Sequence, residues 1–204
     1  VYIDPNSSVT VNDSLFYENI CTGDIAIYNF HAGGGLFSEG ETNLTSCYFS
    51  GNECRDGTSN EDCVGGSLCL IGRPGVLNNI AITDSYAFHA GGAVCLMEGD
   101  YIFENCTIAG SSSDPNFGTS DGLLLHWNSS VVLNNSIIWN SPIQGREIEI
   151  VNGTATLNYC NIQTGWTGPG SGNFSDHPAF INGPYGLYHL ANWSTSLDAG
   201  SLNA

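Results

Sequence analysis

Eight cysteines are the residues of this chain whose chemistry and spacing stand out. Cys69 and Cys95 hold the same position in two similar segments, GGSLCL and GGAVCL, and their apolar neighbours would point inward, so both thiols should point outward. If these segments are neighbouring parallel strands, the two Cα atoms fall within disulfide distance. Cys54 and Cys63 bracket the segment CRDGTSNEDC, and Cys21 aligns with Cys54 one repeat earlier. We expect disulfides among these five residues and leave the partner of Cys54 open.

The other three cysteines, Cys47, Cys106 and Cys160, share one small inward position in alternate repeats. Residues two repeats apart in a stack are too far from each other to be joined by a disulfide. We therefore predict that these three remain thiols and pack as small apolar groups.

Two histidines in matched contexts point to a metal-binding alternative. His31 lies in YNFHAG and His89 in YAFHAG, and Cys63 is the aligned residue of the repeat between them. A His-Cys-His column could bind zinc or copper. The competing interpretation is a recurring turn. Because Cys63 is a stronger candidate for a disulfide than for a metal ligand, we expect no metal at this column.

The strong acidity of the chain excludes several partners. There are 20 Asp and Glu against 3 Arg, and the net charge of −17 argues against nucleic acid and anionic lipid. No apolar run approaches the ~18 residues of a membrane helix, so membrane insertion is not expected. The acidic segment with Asp56, Glu61 and Asp62 lacks the spacing of an EF-hand loop. We interpret it as solvated and expect no cofactor, with calcium as the alternative ligand.

Nine N-x-S/T sequons favour an extracellular location. Together with eight cysteines in an otherwise polar chain, they predict a secreted or cell-surface protein in an oxidising compartment. The candidate glycosylation sites are Asn6, Asn12, Asn43, Asn105, Asn128, Asn134, Asn152, Asn173 and Asn192.

Two short patterns recur in fixed order, which predicts a stack of similar coils. The first reads apolar-x-polar-small-x-apolar and recurs at steps of 24 to 33 residues. The second is typified by GGAV, and its first apolar residue lies eight to ten residues before the first pattern. The first pattern occurs at 11–16, 44–49, 77–82, 103–108, 133–138 and 157–162, and the second begins at Gly33, Gly65, Gly91, Ser120 and Gly145.

Both patterns are typical of short strands, because apolar and polar residues alternate and are followed by Gly or Asn, where a left-handed bend costs little. Stacking in register at ~4.8 Å explains the paired repeat, whereas a hairpin sandwich does not. We predict an all-β fold, a right-handed parallel β-helix (solenoid) of about six coils. An Asn column at the bend should form hydrogen bonds along the axis. The predicted inward columns are Leu36, Leu68, Val94, Leu123 and Ile148, and Phe16, Phe49, Ile82, Ile108, Ile138 and Ile162; the Asn column is Asn79, Asn105 and Asn135.

At these residues the chain resembles the right-handed β-helix repeat proteins of bacterial surfaces, and the polymorphic outer-membrane protein family, whose repeats carry GGA[ILV] and FxxN. The segment 91–94 reads GGAV, and Phe16-x-x-Asn19 and Phe49-x-x-Asn52 match the second motif. The region after Asn173, with HPAF, YHL and LDAG, is similar to the closing segment of such modules. The resemblance implies one domain, with coils over residues 1–172 and a closing segment over 173–204 packed on the last coil.

Other β-helices resemble polysaccharide lyases and hydrolases. A lyase-like site needs a base and acidic calcium ligands, but Arg55, Arg73 and Arg146 are the only strongly basic residues, and no Asp cluster recurs near them. A hydrolase-like site needs two carboxylates on one face. Glu147 and Glu149 alternate with isoleucines on the outer face of a predicted strand, where we expect them to provide solubility. We assign no catalytic residue.

We expect an N-glycosylated structural or adhesive module rather than an enzyme. We find no capping helix at the apolar segment 1–3, so we expect either that an upstream domain has been cut away or that another copy docks on the edge of the first coil. Docking of a second copy head to tail would build a surface filament. The alternative is a polysaccharide-binding or polysaccharide-cleaving protein in which exposed aromatic rings stack on sugars. Tryptophans near predicted turns, which could equally cover the ends of the core, are Trp127, Trp139, Trp166 and Trp193.

Overall fold

A computed structural model describes residues 1–22, 30–55, 62–116, 120–140, 147–183 and 186–201. These residues form a parallel β-solenoid, as predicted, and contain strands and turns but no helix. Within the same residues there is accordingly no helix of the length and apolar character needed to cross a membrane. Parallel connections within one sheet are right-handed in nearly all proteins, which is the hand that we expect of these coils.

Three long sheets run along the solenoid, and we name them A, B and C in the order in which each coil visits them. Sheet A contains β1 (Tyr2–Ile3), β6 (Leu36–Ser38), β11 (Leu68–Ile71), β15 (Val94–Met97), β19 (Leu123–His126) and β22 (Ile148–Ile150). Sheet B contains β2 (Ser8–Asn12), β7 (Glu41–Thr45), β12 (Gly75–Asn78), β16 (Asp100–Glu104), β20 (Ser129–Asn134), β23 (Gly153–Asn158) and β25 (Gly170–Ser171). Sheet C contains β3 (Leu15–Tyr17), β8 (Tyr48–Ser50), β13 (Ala81–Thr83), β17 (Thr107–Ala109), β21 (Ile137–Trp139) and β24 (Asn161–Ile162).

Two smaller parallel sheets and one hairpin complete the fold. Sheet D contains β4 (Ile20–Cys21), β9 (Glu53–Cys54), β14 (Tyr86–Ala87) and β18 (Ser112–Ser113). Sheet E pairs β5 (Phe30–Ala32) with β10 (Asp62–Val64), and the antiparallel hairpin joins β26 (Phe180–Gly183) to β27 (Gly186–Leu190).

The number of coils differs slightly from the predicted six. Four coils place a strand in each of sheets A to D. The next two, β19–β21 and β22–β24, place strands in sheets A, B and C over the described residues, and β25 adds a last strand to sheet B. The solenoid therefore has four coils with strands in all four sheets, followed by two coils whose described strands lie in sheets A, B and C.

Both predicted inward columns are confirmed by the register of the strands. Leu36, Leu68, Val94, Leu123 and Ile148 are successive partners in sheet A, and Phe16, Phe49, Ile82, Ile108, Ile138 and Ile162 are successive partners in sheet C. The two phenylalanine rings stack with centroids 4.3 Å apart and an angle of 3° between their planes. Each fully buried side chain of this kind stabilises the fold by roughly 1.5–3 kcal/mol.

The bend between sheets B and C lies where the asparagine column was predicted. Asn79, Asn105 and Asn135 have φ of 57°, 55° and 51°, the left-handed conformation that asparagine tolerates better than most residues. Axial bonding occurs in this column, where Asn79 Nδ2 donates to Ser46 Oγ of the preceding coil at 3.1 Å, and also one residue earlier, where Asn158 Nδ2 donates to Asn134 Oδ1 at 3.1 Å. The side chain of Asn135 is instead bonded to the backbone of the closing segment.

The double glycine that precedes β6, β11 and β15 is explained by two separate constraints. Gly91 has a φ of +59°, and a Cβ on Gly92 would lie 2.4 Å from the carbonyl oxygen of Asp121 and 2.5 Å from that of Ser112. The first glycine therefore permits the left-handed turn, and the second permits the backbones of neighbouring coils to approach each other.

The closing segment lies along the outer face of sheet C rather than on the final coil alone. Tyr188 donates to Asp84 Oδ1 at 2.5 Å, and Ser201 N–H donates to Asn135 Oδ1 at 2.8 Å. These contacts attach the segment to the third and fifth coils.

A short layer after β24 covers part of the far end of the solenoid. Leu157 N–H donates to Pro169 O at 3.0 Å, and Ile162 N–H donates to Phe174 O at 3.0 Å. Trp166 packs against the main core from this layer. The end of sheets B and C is therefore covered, whereas β22 is the last strand of sheet A in the described residues.

Candidate functional site

An internal column of polar side chains lies at the corner between sheets C and D. Asn52 is fully buried, and its Oδ1 accepts hydrogen bonds from Asn19 N–H at 3.1 Å and Asn19 Nδ2 at 2.8 Å. Its Nδ2 donates to Phe16 O at 2.9 Å and to Ser67 Oγ at 3.1 Å. The asparagine of the FxxN motif thus satisfies buried polar groups of the preceding coil, which would otherwise be costly to enclose.

The same column continues along the axis and ends at a carboxylate. Ser85 N–H donates to Ser111 Oγ at 3.2 Å, and Ser111 N–H donates to Asn140 Oδ1 at 3.0 Å. Asn140 N–H then donates to Glu147 Oε1 at 3.3 Å. In each case a side chain of one coil accepts a hydrogen bond from a backbone N–H of the coil before it.

Glu147 and Asp121 are two buried acids near the end of this column, each 2 % exposed. Asn140 Nδ2 donates to Glu147 Oε2 at 2.7 Å. Asp121 Oδ1 accepts hydrogen bonds from both the N–H and the hydroxyl of Ser113, whereas its Oδ2 has no hydrogen-bond partner among the described residues. Burial raises the pKa of Glu147 to about 7, the negative charge of Asp121 adds to this effect, and the bonds from Asn140 partly oppose it.

The prediction that Glu147 lies on the outer face is wrong. The pairing of Leu123 with Ile148 aligns Glu147 with Gly122, at the corner before the strand, where the alternation of inward and outward side chains has not begun. Glu149, inside β22, is half-buried. Sequence reasoning missed Asp121 as well, although the loss of the double glycine at Ser120-Asp121 was a usable signal.

Three thiols meet at the corner between the first two coils. Cys21 and Cys54 are register partners on β4 and β9, and the Cys54 thiol is hydrogen-bonded to the thiols of both Cys21 and Cys63. Cys54 and Cys63 are fully buried in one small cluster with Ala87, against which the half-buried Cys21 and Phe88 pack. The structure therefore brings together both of the competing partners of Cys54.

Cys69 and Cys95 are register partners on β11 and β15, and their thiols are hydrogen-bonded to each other. They lie outside the main core, but both are fully buried, in a second apolar cluster that also contains Ala32 and Val64. Those two residues belong to sheet E, so this sheet covers a face of sheet A that alternation alone would leave exposed. Burial raises the pKa of the Cys69 thiol well above its usual range.

The remaining three cysteines are buried thiols in alternate coils, and each is bonded to two backbone carbonyls. Cys106 Sγ, for example, lies 3.4 Å from Leu77 O and 3.3 Å from Glu104 O. Burial raises the pKa of Cys106 to about 12 and that of Cys160 to about 11. Because the thiolate is the reactive form, these residues pack as apolar groups.

The column of His31, Cys63 and His89 is aligned, but the donor atoms of Cys63 and His89 have other partners. His31 and Cys63 are register partners, and Cys63 N–H donates to His89 Nδ1 at 2.9 Å. The Cys63 thiol is bonded to Cys54. Over the part of the chain that the structure describes, no three His, Cys, Asp or Glu side chains are arranged to bind a metal. Outside the described residues lie Asp56, Glu61 and Arg146, and the side chains of His31 and Asp62.

The sequon asparagines differ in exposure. The exposed ones are Asn6, Asn12, Asn105, Asn128, Asn152 and Asn192, and the half-buried ones are Asn43, Asn134 and Asn173. Asn173 Nδ2 donates to Leu157 O at 2.7 Å, and its Oδ1 accepts from Cys160 N–H at 2.9 Å. This side chain therefore ties the last layer to the coil before it.

Trp127 lies in an open depression of about 620 Å³ whose other lining residues are Glu98, Asn128 and Asn152. A half-exposed indole beside a carboxylate and two amides combines a stacking surface with polar groups that could bind hydroxyls. Trp166 instead covers the core, and its Nε1 donates to Pro169 O at 2.9 Å. The other two tryptophans are Trp139, in edge contact with His177, and Trp193, which is 73 % exposed.

Replacing Glu147 by Gln should change how stability depends on pH. The folded pKa of about 7 exceeds the ordinary 4.5, so the stabilisation is complete below pH 4.5 and is lost as pH rises through 7. The shift corresponds to roughly 3 kcal/mol as an upper bound. Thermal unfolding from pH 4 to 8 should show a shallower decline for Glu147→Gln, several degrees more stable than the parent at pH 8. Glu149→Gln is the control, and equal slopes for all three proteins would contradict the assignment.

No protein-family model, no curated protein and no solved structure matches this chain.

Proposed function

We propose that this chain is an extracellular structural or adhesive module, secreted or held at a cell surface, that carries N-linked glycans. The observation that supports this most is the outer surface, where six of the nine sequon asparagines are exposed. They are distributed over the first coil, the later coils and the closing segment. The net charge of −17 would keep such a module well solvated. The resemblance of GGAV and FxxN to surface-protein repeats agrees with this location.

Assembly into a filament is the second part of the proposal. The first coil exposes large apolar side chains, and within the described part of the chain its strands have partners only on the side of the second coil. Such an edge favours pairing with another strand. We infer that the occupant is the far end of a second copy, where β22 and β25 are the last strands of their sheets. A head-to-tail contact that does not close produces a filament.

The hydrogen-bond pattern identifies which groups of β2 are free for this contact. Glu41 N–H donates to Ser7 O, and Asp13 N–H donates to Thr45 O. In a parallel ladder, alternate residues of a strand bond to the same neighbour. Ser7 and Asp13 bond to the second coil, so the even-numbered Thr10 directs its N–H away from that coil. Thr10 can therefore be altered without removing a hydrogen bond within the solenoid.

Polysaccharide binding is the alternative function, and the depression at Trp127 favours it. Aromatic side chains offer large rigid surfaces, and Glu98 and Asn152 could accept and donate hydrogen bonds at the rim. Because Asn128 and Asn152 are themselves sequon residues, attached glycans would occupy the same depression. Glycans attached at these residues would therefore block the binding of a separate polysaccharide in the depression.

Expression through a eukaryotic secretory pathway should yield a protein whose mass falls on treatment with peptide N-glycosidase. Asn152→Gln should remove one glycan, since Asn152 is exposed. Asn173→Gln should remove none but should lower the melting temperature, since both ends of that amide are hydrogen-bonded. Intact-mass spectrometry measures both variants, and a secreted protein without any glycan would overturn this part of the proposal.

Electron microscopy of the concentrated protein should show fibres. Thr10→Pro should abolish them, because proline lacks the free N–H, while Thr10→Ala should retain them. Circular dichroism melting should confirm that both variants fold as solenoids. A wild-type protein that stays monomeric at every concentration in light scattering would show that no second copy uses this edge.

If the alternative holds, isothermal titration with neutral oligosaccharides should detect binding to the protein without attached glycans. Trp127→Ala should weaken it about tenfold, as expected for the loss of roughly 1.4 kcal/mol of stacking. Trp193→Ala is the matched control, since Trp193 is exposed but does not line the depression. Equal affinities for the two variants would exclude this depression as the binding site.

A further inference from the structure

The thiols of Cys21, Cys54 and Cys63 form a group in which one member has two partners. Cys54 is bonded to both of the others, but a cysteine can form only one disulfide at a time. Whichever disulfide forms therefore leaves a third thiol directly beside it. A thiol that lies beside a disulfide can attack it and exchange partners with it.

The two available disulfides would have different mechanical effects. A bond between Cys21 and Cys54 would join β4 of the first coil to β9 of the second. A bond between Cys54 and Cys63 would join β9 to β10 and close the segment 55–62 within one coil. Only the first of these bonds fastens the first coil to the rest of the solenoid.

We propose that Cys21, Cys54 and Cys63 form a thiol–disulfide exchange site, in which Cys54 is bonded alternately to Cys63 and to Cys21. The exchange fastens or releases the first coil. This inference stands on the contacts of the three thiols and does not depend on the proposed function.

The chemistry of the exchange balances without a further reagent. The Cys21 thiolate attacks Sγ of Cys54, a new Cys21–Cys54 bond forms, and the Cys54–Cys63 bond breaks. Cys63 leaves as a thiolate and takes up the proton that Cys21 lost. An oxidant is needed only to make the first disulfide, and oxidised glutathione serves, since it is reduced to two thiols as two protein thiols are oxidised.

The environment of Cys21 suits the role of attacking group. It is the one half-buried cysteine among eight, and the other seven are buried. Reaction with an external disulfide requires access, which Cys21 has and Cys54 lacks. Cys69 and Cys95, by contrast, form a pair without a third thiol in their cluster, so the same oxidation there would give a static cross-link.

The test starts from the whole chain oxidised with glutathione and freed of small thiols. Samples are held at pH 8 under argon, blocked with N-ethylmaleimide at intervals, acidified and digested with pepsin for mass spectrometry. We expect peptides linked through Cys54–Cys63 and through Cys21–Cys54 to interconvert until their ratio is constant. The label should move between Cys63 and Cys21 correspondingly.

Single variants isolate the two states. Cys63→Ser should give only the Cys21–Cys54 bond, and Cys21→Ser only the Cys54–Cys63 bond. Amide hydrogen exchange over residues 8–21 should be at least tenfold slower in the oxidised Cys63→Ser protein than in the oxidised Cys21→Ser protein. Cys69→Ser is the control and should leave the interconversion unchanged.

Two results would overturn the proposal. One is a single disulfide whose amount and position stay constant over time in the wild-type protein. The other is equal amide exchange of the first coil in the two single variants, which would show that the choice of partner does not affect this coil. Because each single variant keeps two of the three thiols, the circular dichroism spectrum should confirm folding before either result is interpreted.

Discussion

Every part of this molecule depends on one constraint, the placement of equivalent residues above one another at ~4.8 Å. A side chain in such a stack must be compatible with the residues directly above and below it, whatever its neighbours in sequence. The stacked rings of Phe16 and Phe49 and the unbroken apolar column from Leu36 to Ile148 are direct results. The core is therefore a set of columns, and a substitution affects its column before it affects its coil.

The same constraint applies to polar groups, and it explains why FxxN is useful. At the corner between sheets C and D the backbone leaves N–H groups that face the next coil, and Asn52, Ser111 and Asn140 accept hydrogen bonds from them. These bonds act as a polar counterpart of the apolar columns. Where the double glycine is lost, at Ser120-Asp121, the Asp121 side chain accepts hydrogen bonds from Ser113 of the preceding coil. The buried acids enter the structure at this change.

Much of the fold could be predicted from the sequence, because the apolar columns repeat a simple pattern of residue type and spacing. The register of Leu68 with Val94, and of Ile82 with Ile108, followed from that pattern alone. Features of the corners could not be predicted in the same way. Glu147 lies before its strand begins, so the alternation of inward and outward side chains along the strand predicted the wrong side for it. Cys69 and Cys95 are buried because sheet E covers them, and the sequence of β5 and β10 carries no strong signal of its own.

The two buried acids also bear on the choice between enzyme and structural module. A carboxyl group with a raised pKa beside a second carboxylate has the charge arrangement of a general acid. Both Glu147 and Asp121 are 2 % exposed, however, and both oxygens of Glu147 accept hydrogen bonds from Asn140. A buried oxygen without a hydrogen-bond partner, such as Oδ2 of Asp121 among the described residues, lowers the stability of the fold. Glu147 ends a column of hydrogen bonds that crosses the corners of successive coils, and Asp121 bonds to Ser113, so each carboxyl group joins two separate segments of the solenoid.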